Sequence, residues 1–233
     1  MQDDTHTETI DWNRFWSTAD DEDYDSATPS TNVLRDVLAD FLNERGTPER
    51  FADVGCGPGV VSFFVADEYD AEVVGYDAAQ PILEENRERA RQEGYENVTF
   101  EHGVLPDWNP DGEFDLVLCF GTLCYVADSK RALQALYDAV APGGTLLVGY
   151  TNRYAKSHYE SVVENPPNPE EAGREIDPER FADRFSLVLS GESTLSYRDI
   201  HDALGTWPRS PWEVVEKPER WMWRNHPLVW VPK

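Results

Sequence analysis

A doubly wound, mostly parallel α/β sheet of seven strands, with helical additions after the fifth strand and at the N-terminus, is the fold this sequence predicts. Two observations lead there. Between residues 31 and 150, short apolar runs rich in Val and Leu alternate with stretches whose apolar residues recur at helical spacing, an order that implies right-handed βαβ crossovers. The first apolar run, Phe51-Ala52-Asp53-Val54, enters a glycine-rich turn, Gly55-Cys56-Gly57-Pro58-Gly59, and then a helix. Such a turn brings backbone and the free N–H groups of a helix N-terminus close to a ligand, because a Cβ on the glycines would intrude. Residues 1–233 read as one domain, with a cap over 1–30, the sheet core over 31–150, a helical insertion over 151–205 and edge strands over 206–233.

The N-terminal segment is acidic and polar apart from Trp12, Phe15, Trp16 and Tyr24. Trp12 and Trp16 stand four apart, so one helical turn presents both, either as a helix packed on the domain or as a lid over a ligand pocket. From Thr31, the residues Val33, Leu34, Val37, Leu38, Phe41 and Leu42 make a core-covering helix that Gly46 closes. The alternation then reads as a strand over 50–54, a helix over 58–67 and a strand over 72–77. The next helix has Pro81 in its first turn and Gly94 after its end. Strands over 98–102 and 114–119 follow. Asp128 caps a helix that runs to Val140, and Pro142-Gly143-Gly144 turns the chain into a fifth strand over 145–150. Beyond it the pattern breaks. Asn165-Pro166-Pro167-Asn168-Pro169 is a rigid loop; Asp177-Pro178-Glu179 starts a helix with the stripe Phe181, Phe185, Val188 and Leu189, ending at Gly191; Ser196 opens another helix that ends before Gly205. Residues 212–215 and 228–231 complete the strands.

The formal net charge is −25, and among 20 basic residues the only lysines are Lys130, Lys156, Lys217 and Lys233. Self-repulsion on that scale is relieved by molar salt, and the composition resembles that of cytoplasmic proteins from salt-accumulating halophiles. No basic stripe offers phosphate contacts, which disfavours duplex nucleic acid as a partner. No apolar run reaches membrane-spanning length and no signal-like segment is present, so the expectation is a soluble cytoplasmic protein. Cys56, Cys119 and Cys124 lie in apolar or glycine-rich contexts and read as reduced thiols; the five histidines lack metal-ligand spacing, so no metal is expected.

The glycine spacing carries the functional information. A dinucleotide fingerprint needs G-x-G-x-x-G, and Val60 stands where its third glycine would be. Here the pattern is D-x-G-x-G-x-G, from Asp53 to Gly59, followed one βαβ half-unit later by Gly75-Tyr76-Asp77 at the end of the second strand. An acidic side chain at that point accepts both hydroxyls of a ribose; it also suits an N-cap of the next helix. With VTFEHG, FDLVLCFGTLCYV and the Pro-Gly-Gly turn before strand five, residues 49–150 resemble the class I S-adenosylmethionine (SAM) methyltransferases, whose fold is Rossmann-like.

That resemblance implies SAM as cofactor and assigns roles by position. The loop Gly55, Cys56, Gly57 and Gly59 would hold the methionine moiety, with Asp53 supporting it or bracing the turn. Asp77, with Ala78 beside it, would take the ribose, and backbone groups of Phe120 and Gly121 would complete the methionine site. Family members often carry Gly-Asp-Ala after strand three; this chain has Gly103-Val104-Leu105, so adenine would rest on backbone and apolar contact around Val104. Cys56 suits a filler better than a nucleophile, since no cation stands near it in sequence. Methyl transfer from a sulfonium needs alignment and water exclusion, and a base only when the acceptor arrives protonated. Candidates for that base are Tyr125, Tyr154 and His158, and the acceptor pocket would draw on Trp16, Tyr125, Tyr150 and Tyr154. The partner implied is a small organic methyl acceptor. The N/D-P-P-aromatic motif of amino-methylating DNA enzymes is missing after strand four, and Asn165-Pro166-Pro167-Asn168 lacks the aromatic residue. A non-catalytic SAM-binding subunit is the alternative from another class, followed by a protein methyltransferase and a nicotinamide-dependent oxidoreductase. Oligomeric state and acceptor are not encoded in any motif.

Overall fold

A computed structural model describes residues 10–19, 24, 27, 31–172, 175–213 and 224–233. In chain order the elements are α1 (Trp12–Thr18), α2 (Thr31–Arg45), β1 (Arg50–Val54), α3 (Val60–Glu68), β2 (Glu72–Asp77), α4 (Gln80–Glu93), β3 (Val98–His102), β4 (Phe114–Cys119), α5 (Ser129–Asp138), β5 (Val140–Gly149), α6 (Arg153–Glu164), α7 (Pro169–Ala172), α8 (Pro178–Arg184), α9 (Ser186–Ser190), α10 (Tyr197–Leu204) and β6 (Leu228–Pro232). Short 3-10 turns occupy Leu123–Tyr125 and Pro211–Glu213.

The described strands form one six-stranded sheet in the order β3-β2-β1-β4-β5-β6, parallel except for β6, which runs antiparallel to β5. Six strands stand where seven are expected. Of the expected strand over 212–215, Trp212 and Glu213 lie in a 3-10 turn, and 214–215, like Trp221 and Trp223, fall outside the described residues. The chain order reverses between β1 and β4, and in a doubly wound sheet the crevice at that reversal is where ligands bind.

Both faces of the sheet are covered. One apolar cluster holds Leu38, Phe41, Phe51, Val73, Phe100 and Trp230 under α2 and α3. The opposite cluster holds Val54, Tyr76, Phe114, Leu133, Leu136 and Val229 under α5. Burial on both faces explains why the strands are continuous apolar runs rather than alternating ones. Trp230 anchors the edge: it is fully buried, its indole N–H donates to the Ser210 carbonyl at 3.2 Å, and the Arg45 and Arg209 guanidiniums lie over its ring.

Two elements depart from the expectation. Pro142-Gly143-Gly144 lies inside β5, as an irregularity where register slips from Phe114↔Val140 to Leu116↔Thr145. Gly144 is needed there because a Cβ would fall 2.7 Å from the Asp115 carbonyl. The helix opened by Asp177 breaks at Phe185 into α8 and α9. That break lets Phe181 and Phe185 cover Tyr159 while Leu187 and Val188 are buried. No helix among the described residues is long and apolar enough to cross a membrane, and no cluster of three potential metal ligands occurs among them.

Candidate functional site

The glycine loop is held from beneath by β2. Gly55 and Cys56 both donate their N–H to the Tyr76 carbonyl, at 2.7 and 2.9 Å, and Gly59 donates to the Cys56 carbonyl. All three glycines have positive φ (Gly55 79°, Gly57 49°, Gly59 69°), yet they answer to different neighbours. A Cβ on Gly55 would sit 2.0 Å from Thr122 Oγ1, and one on Gly59 about 3.0 Å from Phe63 and 3.1 Å from Phe100. At these two positions the protein itself fills the space, a correction to the expectation that a ligand does. Gly57 is open on that side except for the Trp16 ring at 3.5 Å, and Gly121 (φ 73°) has nothing within 4 Å.

Asp77 organises the loop. One carboxylate oxygen accepts from Gly57 N–H and the other from Ala79 N–H, each at 2.9 Å. The side chain therefore starts α4 as a capping group does, while tying that helix to the glycine loop. Burial raises its pKa against the opposing effect of these backbone donors. The Gly57 carbonyl is taken in turn by Asn86 Nδ2 at 2.7 Å, so residue Gly57 is held through both its N–H and its carbonyl. Nothing local in the sequence marks Asn86; its one signal is a polar residue on the buried face of a helix whose other buried residues are Ile82, Leu83 and Ala90.

Asp53 is buried below the turn, and Ser62 Oγ donates to its carboxylate at 2.7 Å. The structure thus has it bracing α3. Burial pushes its pKa up to about 6, with the neighbouring Asp77 charge adding to the rise and Ser62 opposing it. Cys56 turns away from the loop surface into the core, where its Sγ would lie 3.1 Å from a Cβ at Gly75, and burial raises its thiol pKa strongly. Its Sγ donates weakly to the Gly57 carbonyl at 3.7 Å, so the side chain packs the turn from the core side. The loops after β2 and β3 are joined: Gly103 N–H donates to the Asp77 carbonyl at 3.0 Å and His102 Nε2 lies 3.2 Å from the Ala78 carbonyl. Val104, half-buried, follows directly. After β4, Phe120 packs its ring on Gly149, and Thr122 Oγ1 reaches the Val54 and Phe120 carbonyls at 3.5 and 3.4 Å.

Beside this loop cluster lies an aromatic group from the insertion and the N-terminus. Tyr125 stacks on Phe185 with centroids 5.6 Å apart, meets the Trp12 edge at 4.9 Å and accepts a hydrogen bond from Arg184 Nε at 3.1 Å. Tyr159 packs against Phe181 and Phe185, and its hydroxyl lies 2.9 Å from His226 Nε2. Burial pulls the His226 pKa down to about 4, with His158 adding to the fall, so the ring is neutral at pH 7.

The expected acceptor residues are only partly gathered here. Trp16 is buried against Ala79 and Ile82, on the glycine-loop side rather than among the insertion aromatics. Tyr150 is buried in the cluster that holds Leu195 and Ile200, apart from the cluster packed around Tyr125. Tyr154 is 48% exposed and pairs with Arg153, and His158 is exposed. They share the outer face of α6, as their spacing requires, while the inner face presents Tyr159. Tyr125 is thus brought to the cluster, and Tyr150, Tyr154 and His158 are not.

Comparison with known proteins agrees with the loop geometry. Residues 51–144 match a family model described as a methyltransferase domain. The chain is 34% identical over 137 residues to the ubiquinone biosynthesis O-methyltransferase of Ruegeria pomeroyi, covering 56% of this chain and 54% of that protein. It is 34% identical over 126 residues to the trans-aconitate 2-methyltransferase of Streptomyces coelicolor (53% and 42%). It is 39% identical over 103 residues to the demethylmenaquinone methyltransferase of Thermus thermophilus (43% and 46%). The chain spans about half the length of these relatives. Residues 51–144, with the Asp53–Gly59 loop and Asp77, are a domain of the class I SAM-dependent methyltransferase family.

Proposed function

We propose that this chain is a SAM-dependent methyltransferase acting on a small organic acceptor. The observation that carries the reading is Asp77, a buried carboxylate at the end of β2 that fixes Gly57 and Ala79 and keeps acceptor capacity for ribose hydroxyls. The residues present fit the cofactor: nothing lies within 4 Å of where a Cβ would stand on Gly121, and only the Trp16 ring meets that position on Gly57, at the chain reversal between β1 and β4. Small-molecule methyltransferases among the relatives support the acceptor class.

When bound, SAM would supply a methyl group on a sulfonium, the acceptor bonding to the methyl carbon as the sulfur leaves in line as the neutral thioether of S-adenosylhomocysteine. The work left to the chain is binding, orientation and water exclusion. The Gly55–Gly59 loop and the backbone at Phe120 and Gly121 would hold the methionine half, Asp77 the ribose, and Ala78 and Val104 the adenine. Asp53 acts through the turn it braces. Tyr125 would orient the acceptor; it is unsuited to be a base, since burial raises its pKa more than the Arg184 contact lowers it. The rings of Trp12, Phe185 and Tyr159 around it keep water from the acceptor side.

Calorimetric titration with SAM, S-adenosylhomocysteine (SAH) and NAD in molar KCl tests the reading, with labelled SAM used to screen acceptors. SAM and SAH binding, weakened in Asp77→Ala, is the expected result. Binding of NAD alone would overturn it.

A further inference from the structure

The segment before the sheet is built onto the loop cluster in a way that neither the family match nor the relatives address. Trp16, 5% exposed, packs on Ala79 and Ile82, and its ring edge reaches the open side of Gly57. Three residues earlier, Asn13 Oδ1 accepts the Gln80 N–H at 3.0 Å. Gln80 opens α4 immediately after Asp77-Ala78-Ala79, and the Ala79 side chain makes no cap of its own. Tyr24 adds a hydrogen bond from its hydroxyl to Glu85 on the same helix, at 2.6 Å. Residues 13 and 16 therefore grip the chain on either side of Asp77: Gly57 on the loop and Gln80 on the helix. The Trp16 indole thus stands beside the residue whose N–H Asp77 holds.

We propose that Trp16 is the wall of the nucleoside half of the cofactor site, and that α1, pinned by Asn13, controls cofactor exit. This rests on the SAM reading above. It moves Trp16 from the acceptor pocket to the cofactor, as a positioning residue. An indole is suited to the role because it contributes apolar contact and a polarisable surface without a charge beside Asp77.

The experiment is stopped-flow displacement of SAH and of 5′-methylthioadenosine from the full chain, comparing wild type with Trp16→Ala, Trp16→Phe and Asn13→Ala. Methylthioadenosine keeps the nucleoside and lacks the amino-acid half. Trp16→Ala should speed dissociation of both ligands by a similar factor, about tenfold, which corresponds to the loss of one good aromatic contact. Trp16→Phe should fall between, and Asn13→Ala should speed both about threefold. A loss for SAH that spares methylthioadenosine would overturn the assignment, because the ring would then face the methionine half. Faster and tighter binding in Trp16→Ala would also overturn it, since Trp16 would then be a plug. Should circular dichroism show Trp16→Ala misfolded, Asn13→Ala decides: its side chain is at the surface, and unchanged dissociation of both ligands would sink the idea. If wild type binds neither ligand, the cofactor reading itself fails and takes this one with it.

Discussion

The side-chain amide of Asn86 lies 2.7 Å from the Gly57 carbonyl, donating from the middle of α4 to the residue whose N–H Asp77 holds. A helix and a strand end thus share one residue of the loop. Removing the amide in Asn86→Ala leaves that carbonyl only the weak Cys56 thiol donor at 3.7 Å, a loss of about 1–3 kcal/mol when buried. Urea unfolding should show that loss, and SAH affinity should fall about tenfold as the loop loosens. An unchanged midpoint together with unchanged affinity would contradict the role given to Asn86.

Asp77 makes a sharper case. Asp77→Asn keeps an oxygen for Ala79 but turns an amide toward Gly57 N–H, where two donors then face each other. Both Asp77→Ala and Asp77→Asn should lower SAH affinity by on the order of 30-fold, in line with a charge-assisted pair of bonds. Asn should do no better than Ala, whereas a simple capping role would let Asn substitute well. Titration calorimetry separates the two.

Asp53 titrates in the opposite sense from most carboxylates. Its folded pKa of about 6 lies above its ordinary value of 3.8, so the folded chain binds the proton more tightly than the unfolded one. Its contribution to stability is greatest below pH 4 and falls as pH rises from about 4 to 6, by on the order of 2 kcal/mol. Asp53→Asn, which keeps an acceptor for Ser62, should lose this slope and be at least as stable as wild type at pH 7. Denaturant midpoints at pH 4.5 and 7.5 measure it.

His226 slopes the other way. Its pKa of about 4 lies below its ordinary 6.5, so the folded state favours the neutral ring, and stability is lost as pH falls from about 6.5 toward 4. Groups facing it include Tyr159 and His158. His226→Gln, which offers Tyr159 a neutral partner, should flatten that acid-side loss. The difference from wild type should vanish above pH 7.5.

Gly55→Ala should be severely destabilising, by 3 kcal/mol or more, since its Cβ overlaps Thr122 and φ is +79°. Adding Thr122→Gly should recover the steric part and leave about 1 kcal/mol of backbone strain. Equal instability of the single and double variants would mean that backbone conformation alone demands the glycine.

Much of this architecture is local and therefore readable. β2, β3 and β4 begin and end where their apolar runs do, and Gly94, Asp128 and Ser196 stop or start helices through groups within four residues of themselves. The Asp53–Gly59 motif and Asp77 are legible for the same reason. What escaped depends on distant partners. Asn86 and Gly57 are 29 residues apart, and Tyr159 and His226 are 67 apart. Thr122 explains Gly55 only once β1 and β4 are neighbours. The aromatic spacing of Trp12 and Trp16 defines a helix face, but only tertiary packing separates them, Trp12 toward Tyr125 and Trp16 toward Gly57.

Cys56, Cys119 and Cys124 are all buried, and burial raises the pKa of each thiol. Each is therefore chemically silent until the backbone around it opens, since the thiolate is the reactive form. The three are a built-in set of clocks. Cys56 times the glycine turn, Cys119 the end of β4, and Cys124 the turn beneath the insertion aromatics. Mass-resolved alkylation would read how often each place breathes, and a ligand that tightens the turn would slow the first clock more than the third.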